Sequence, residues 1–204
     1  QAVRCEVRKM TKEEMMRRVQ NSMNEARFKH TMGTVKAAVE LAEKLGENTE
    51  KTYTAALLHD CAKHMTDEEM IEFLNKRNIE ADPVMKAIGG NVLHALVARY
   101  LAQEEYGIED PEILSAIECH TLGKVGMTLT EKIVFISDYI DPGRKFEGVE
   151  VLQKLAPKNL DEAVVAAIRS TLMYLLSENR LIHPRLLETR NDFLIKKASE
   201  EKEM

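Results

Sequence analysis

The segment Thr54-Ala55-Ala56-Leu57-Leu58-His59-Asp60 constrains this chain more than any other. It is apolar on almost every side, which predicts a central helix buried in a helical core. Yet it ends on an imidazole and a carboxylate. A carboxylate carried into a low-dielectric interior is costly unless a cation or hydrogen-bond donors meet it. A divalent metal ion meets that need directly.

The remaining pattern is helical from end to end, with no strand-like alternation. Thr11-Lys12-Glu13-Glu14 and Thr66-Asp67-Glu68-Glu69 are capping boxes that open helices. The first is expected to run to about Glu25 and the second to about Asn78. Val35, Ala38, Val39, Ala42 and Leu45 recur at helical spacing before Gly46. The central helix starts near Asn48. Asp82-Pro83 suits a short helix, Gly89-Gly90 breaks the chain, and a helix from about Asn91 to Tyr106 ends at Gly107. Asp110-Pro111-Glu112 opens another that reaches about His120. One from about Thr130 to Ile140 is closed by Pro142-Gly143. Three more are expected at about 149–156, 160–178 and 184–198, with the charged residues from Ser199 to Met204 frayed. The organisation expected is one all-α domain over residues 1–204, with a core of about 26–145 and C-terminal helices 149–198 packed on it.

Apolar residues make up 44% of the 204, enough for a continuous core. A net charge of −5 argues against a nucleic-acid partner. No apolar run reaches the roughly 18–20 residues of a membrane span. Gln1 to Met10 has no signal-peptide stretch, and a start without Met suggests trimming or processing. Cys5, Cys61 and Cys119 form no Cys-x-x-Cys pair and are read as free thiols, small core or surface residues, in a reducing, cytoplasmic setting. Met10, Met15, Met16 and Met23 lie at near-helical spacing. They suit adaptable packing, and an exposed Met-rich first helix hints at a homodimer.

His30, His94, His120 and Asp138 each fall on a different expected helix, beside apolar neighbours. Imidazole nitrogen and carboxylate oxygen are donors that Zn, Fe, Mn and Ni accept. Bundled helices can direct one such side chain each into a common centre. Taken singly, a histidine on an apolar face is more often a hydrogen-bonded core residue. The ordered set His, His-Asp, His, His, Asp carries more weight.

With their neighbours, these residues resemble a known family. Arg27-Phe28-Lys29-His30, Ala56 to Lys63, Leu93-His94-Ala95, His120-Thr121-Leu122-Gly123-Lys124 and Asp138 to Arg144 are similar to segments of the HD-domain superfamily of metal-dependent phosphohydrolases. The closer likeness, from about Thr11 to Phe193, is to its bacterial YqeK-type members, which hydrolyse dinucleoside tetraphosphates symmetrically. The resemblance implies an all-α HD-domain helical bundle with a C-terminal helical extension. It implies that His30, His59, Asp60 and Asp138 hold one metal. In two-metal members Asp60 bridges to a second ion on His94 and His120. It suggests iron, one ion or two, whereas donor chemistry alone admits Mn or Zn equally.

Lys63 lies three residues after Asp60 and four after His59, so it shares their helix face and is expected to reach a substrate phosphate. Thr121, Gly123 and Lys124 are expected to wrap phosphate oxygens, Arg144 to make a bidentate phosphate contact, and Arg27 to assist. For these loop residues a plain surface role competes evenly. His64 is read as a non-ligand and His183 as structural. The implied reaction is metal-assisted cleavage of diadenosine tetraphosphate to two ADP. Asp60 would orient and deprotonate the water, and Lys63 would stabilise the phosphate charge. The rivals are another HD phosphohydrolase, acting on a deoxynucleotide, a nucleotide monophosphate or a cyclic nucleotide, and a non-catalytic metal-binding helical module.

Overall fold

In the computed structural model, residues 10–203 are described; Cys5 and Met204 lie outside them. Among the described residues there are eleven α-helices and no strand. They are α1 (Lys12–Ser22), α2 (Glu25–Leu45), α3 (Thr49–Leu58), α4 (Asp67–Asn75), α5 (Pro83–Ile88), α6 (Gly90–Tyr106), α7 (Pro111–Cys119), α8 (Leu129–Ile140), α9 (Val149–Leu155), α10 (Leu160–Ser177) and α11 (Pro184–Glu203).

Local chemistry sets most boundaries. The Thr11 and Thr66 capping boxes are both formed, and Gly46 and Gly107 close α2 and α6 in the left-handed conformation. A third box, with Thr128 as N-cap and Glu131, starts α8 at Leu129, one residue earlier than the apolar pattern suggests. The charged C-terminus departs from expectation, because α11 stays helical to Glu203 rather than fraying after residue 198.

Helix α3 packs against α1, α2, α7 and α8, and Ala55 through Leu58 are fully buried, as its all-round apolar surface requires. Helix α8 is enclosed in the same way. It meets α2, α3 and α7 on one side and α9 and α10 on the other, and Ile133 to Ser137 are fully buried. Helix α11 lies on α10. His183 ties its start to the rest by accepting Arg185 N–H at Nδ1 and bonding Asp82 Oδ2 at 2.8 Å through Nε2.

Helix α1 does not present a methionine surface. Met15 is buried, and Met10, Met16 and Met23 pack against the core, so the series is packing and carries no argument for a dimer. No described helix is long and apolar enough to cross a membrane.

Candidate metal centre

Two of the helices that feed the centre end on the histidines they deliver. Leu58 is the last residue of α3, and His59 follows as its C-cap. The His59 ring takes the Ala56 carbonyl with Nδ1 at 2.6 Å, the acceptor that the Asp60 N–H would use in a continuing α-helix. The backbone then tightens into i→i−3 turns, Cys61 N–H to Leu58 O and Lys63 N–H to Asp60 O. The expected helix through Asp60 therefore stops at Leu58. Lys63 still lies over Asp60, because residues three apart eclipse in such turns. Helix α7 repeats the device: His120 caps it and donates Nδ1–H to Ile117 O at 2.7 Å. His94, in the first turns of α6, donates to Gly90 O at 2.7 Å.

A carbonyl only accepts, so these three rings carry their proton on Nδ1 and leave Nε2 as a bare lone pair when neutral. The bare nitrogens converge. His94 Nε2 lies 3.0 Å from His120 Nε2 and 3.1 Å from Asp60 Oδ1, while His59 Nε2 and His120 Nε2 each lie 3.8 Å from the same oxygen. His59 Nε2 is wholly buried and has no hydrogen-bond partner. Orphaned buried acceptors facing one another are unfavourable until a cation supplies the missing charge. The donor set fits a divalent metal.

His30, on α2, completes the group from the other side. Its Nε2 lies 3.0 Å from Asp138 Oδ1 and its Nδ1 2.9 Å from Asp141 Oδ2. Donor atoms of His30, His59 and Asp138 lie within 4.8 Å of one another, and so do those of His59, Asp60 and His120. All six expected ligands are thus brought together, with His59 common to both groups.

The electrostatics favour ionised carboxylates and hold two of the imidazoles, His94 and His120, below their ordinary range. Burial opposes ionisation of Asp60, but His59, His94 and His120 around it hold its carboxyl well below the usual range. Burial likewise opposes ionisation of Asp138, and the close approach of His30, with His59 and Arg144 nearby, overrides it. Burial, helped by His59 and His94, brings His120 down to about 3. Burial also lowers His94.

Three basic side chains rim the carboxylates. Arg27 Nη1 is 3.6 Å from Asp60 Oδ2. Arg144 grips Asp138 twice, Nε to its carbonyl at 3.0 Å and Nη2 to Oδ1 at 2.5 Å. Lys63 is partly buried, which lowers its ammonium, while Asp60 and Asp138 act to raise it. His64 points elsewhere and bonds Cys61 O through Nδ1.

The segment after His120 differs from expectation. Thr121 is partly exposed, but Gly123 is buried, and a Cβ there would lie 2.4 Å from Thr189 Cγ2 on α11. Thr189 Oγ1 donates to Leu122 O at 2.9 Å. Lys124 pairs with the buried Glu131 at 2.6 Å and donates to Ser115 Oγ at 2.9 Å. Gly123 and Lys124 are structural ties, not a phosphate-wrapping loop, because tertiary partners from α7, α8 and α11 claim them. Lys124→Ala leaves Glu131 buried without its ammonium. It is expected to lower stability by about 1–3 kcal/mol, the usual cost of a stranded buried polar group. Metal retention should be unchanged. Urea denaturation and elemental analysis check the two halves; a Lys124→Ala protein as stable as wild type would refute the structural role.

Asp141 is the residue that sequence reasoning missed. It lies within the quoted segment Asp138 to Arg144, but the stop at Pro142-Gly143 leaves it without a role in the sequence pattern.

A helical bundle that directs imidazoles and carboxylates from five segments into one buried centre defines a divalent-metal-binding all-α protein. Residues 27–143 match the HD domain model, and the chain belongs to the HD-domain family. It is 37% identical, over 89% of its length and 97% of the relative's, to a symmetrical bis(5'-nucleosyl)-tetraphosphatase of Bacillus subtilis (strain 168). A protein of the same name from Halalkalibacterium halodurans is 36% identical over 91% of this chain and 98% of its own. The fold is similar to that of an HD superfamily hydrolase from Clostridium acetobutylicum described as involved in NAD metabolism. The TM-score is 0.88 at 35% identity, covering 91% of this chain and 98% of that one.

Proposed function

We propose that this chain hydrolyses dinucleoside tetraphosphates symmetrically, converting diadenosine tetraphosphate to two ADP. The observation that carries this is the convergence of bare His59, His94 and His120 nitrogens on Asp60 beneath a rim of Arg27, Lys63 and Arg144. Relatives that share this chain nearly end to end bear the name of that activity.

His30, His59, Asp60, His94, His120 and Asp138 would hold the divalent metal, which when bound would make water ionisable near neutral pH and neutralise phosphate charge. Asp60 has a second oxygen facing the rim, on the Arg27 side, and it orients the attacking water, whose proton passes to solvent. The water oxygen bonds to one of the two central phosphorus atoms. The bridging oxygen leaves with the other, so each product is a nucleoside diphosphate. Lys63 and Arg144 take up the charge that builds on the phosphate oxygens, with Arg27 beside them. Thr121, partly exposed at the end of the His120 turn, would offer its hydroxyl to a phosphate.

The resident metal in this reading would be iron, one ion or two; the imidazole and carboxylate donors support Fe, Mn and Zn alike. The buried free thiols Cys61 and Cys119, which burial pushes well above their ordinary range, support a reducing, cytoplasmic setting.

The test is product analysis with diadenosine tetraphosphate and protein loaded with Fe, Mn or Zn, joined to elemental analysis of the protein as isolated. ADP as sole nucleotide product is expected. ATP plus AMP would reject the symmetrical cut. Turnover confined to deoxynucleotides, nucleotide monophosphates or cyclic nucleotides would move the reading to another HD phosphohydrolase.

A further inference from the structure

Three of the four imidazoles are oriented by carbonyls of their own helices, which no side-chain substitution removes. His30 is the exception. Its Nδ1 meets a side chain, the carboxylate of Asp141, at 2.9 Å. Asp141 is 4% exposed, and its other oxygen accepts the Gly143 N–H at 3.1 Å. The seat for this carboxylate is Gly33, on α2 one turn beyond His30. A Cβ built on Gly33 would lie 1.7 Å from Asp141 Oδ1. Gly33 lies inside a helix and has no positive φ, so it is not there for backbone freedom. A helix-interior glycine is unfavourable relative to alanine. What it provides here is room.

The proton on His30 has two carboxylates to choose between. Asp138 already takes the guanidinium of Arg144, whereas Asp141 takes one backbone N–H. Asp141 is therefore the stronger acceptor for an imidazole N–H. We propose that Asp141, seated on Gly33, is a positioning residue: it holds the proton of His30 on Nδ1 and so keeps Nε2 bare toward the metal centre. The inference rests on the reading of that centre as a metal site.

Replacement by asparagine gives a sharp consequence. The Gly143 N–H needs an acceptor, so the amide oxygen stays there and the amide NH2 faces His30. His30 then accepts at Nδ1 and carries its proton on Nε2, pointed at Asp138 where the lone pair should be. The chain keeps its shape, and the ligand is lost.

Two readouts on the metal-free protein test this, with Asp60→Ala run alongside. In 15N NMR at alkaline pH, with the His30 signal assigned by its loss in His30→Gln, wild type and Asp60→Ala should show Nδ1–H. Asp141→Asn should show Nε2–H. Calorimetric titration with Mn(II) should show binding weakened about 10–100-fold in Asp141→Asn, the usual effect of losing such a partner. Gly33→Ala, which displaces the carboxylate without removing it, should weaken binding in the same range. Combined with Asp141→Ala it should add nothing further. Persistence of Nδ1–H in Asp141→Asn, or Mn(II) affinity unchanged in both single variants, would overturn the proposal. Wild-type Mn(II) affinity in Asp60→Ala would instead overturn the metal-centre reading, and the tautomer would still decide the role of Asp141.

Discussion

Asp60→Ala is expected to reduce kcat/KM for diadenosine tetraphosphate on the order of 10³-fold or more and to bring metal content to background. Removing one hydrogen-bond donor from a preorganised site typically costs about 10²–10³. Asp60 does more than one such donor. One oxygen is the point on which the nitrogens of His59, His94 and His120 converge, and the other faces Arg27. Without the carboxylate, the imidazoles lose the anion that offsets an ion's charge, and the rim loses the group that holds Arg27. Little of the fold depends on it, since Ala55 to Leu58 and Ile133 to Ile136 form the surrounding core. Far-UV circular dichroism should therefore be unchanged while turnover and metal are lost. His64→Ala is the matching control: it removes an imidazole four residues away that bonds only Cys61 O, and it should leave both intact. Wild-type turnover in Asp60→Ala would end the reading of this centre as the catalytic site.

What was legible in the chain follows from the range of the interactions that fix each feature. Helix starts at Thr11, Thr66 and Asp110 are set by side chains within three residues of the backbone they satisfy, and local pattern finds them. The six ligand types were readable because an imidazole or carboxylate on an apolar face is chemically conspicuous. The end of α3 was not, because it turns on the His59 ring taking a carbonyl from its own helix. Asp141 was missed for a different reason. Its partner His30 lies 111 residues away, and its seat is an absent side chain at Gly33. Gly123 follows the same logic, since the Thr189 side chain that packs on it comes from α11, while Lys124 is tied to Glu131 of the next helix by a buried ion pair that a glycine and a lysine after a histidine do not announce.

Metal loading should raise the Tm by about 8–16 °C between chelator-treated and saturated protein. A ligand that binds only the folded state at about 1,000 times its Kd contributes about 4 kcal/mol. For chains of about this size each kcal/mol shifts Tm by about 2–4 °C. Selectivity for the folded state is built into the centre. In the metal-free fold, His59 Nε2 has no partner, and the Nε2 atoms of His94 and His120 face each other at 3.0 Å. In an unfolded chain these nitrogens are solvated and apart. The pH dependence of the metal-free protein carries the same signature. His120 is held to about 3 in the fold against an ordinary 6.5, so as pH drops below about 6.5 the unfolded chain takes up this proton first. His94 acts in the same sense, and His30, raised by its carboxylates against the effect of burial, in the opposite one. With two lowered imidazoles against one raised, the metal-free protein should lose stability from about pH 6.5 toward 3. Metal should widen the gap at neutral pH, where His120 is already unprotonated and free to bind. Calorimetric scans with chelator and with Mn(II) at pH 7.5 and 5.5 measure both effects. A Tm indifferent to metal at pH 7.5 would mean that these nitrogens hold no ion.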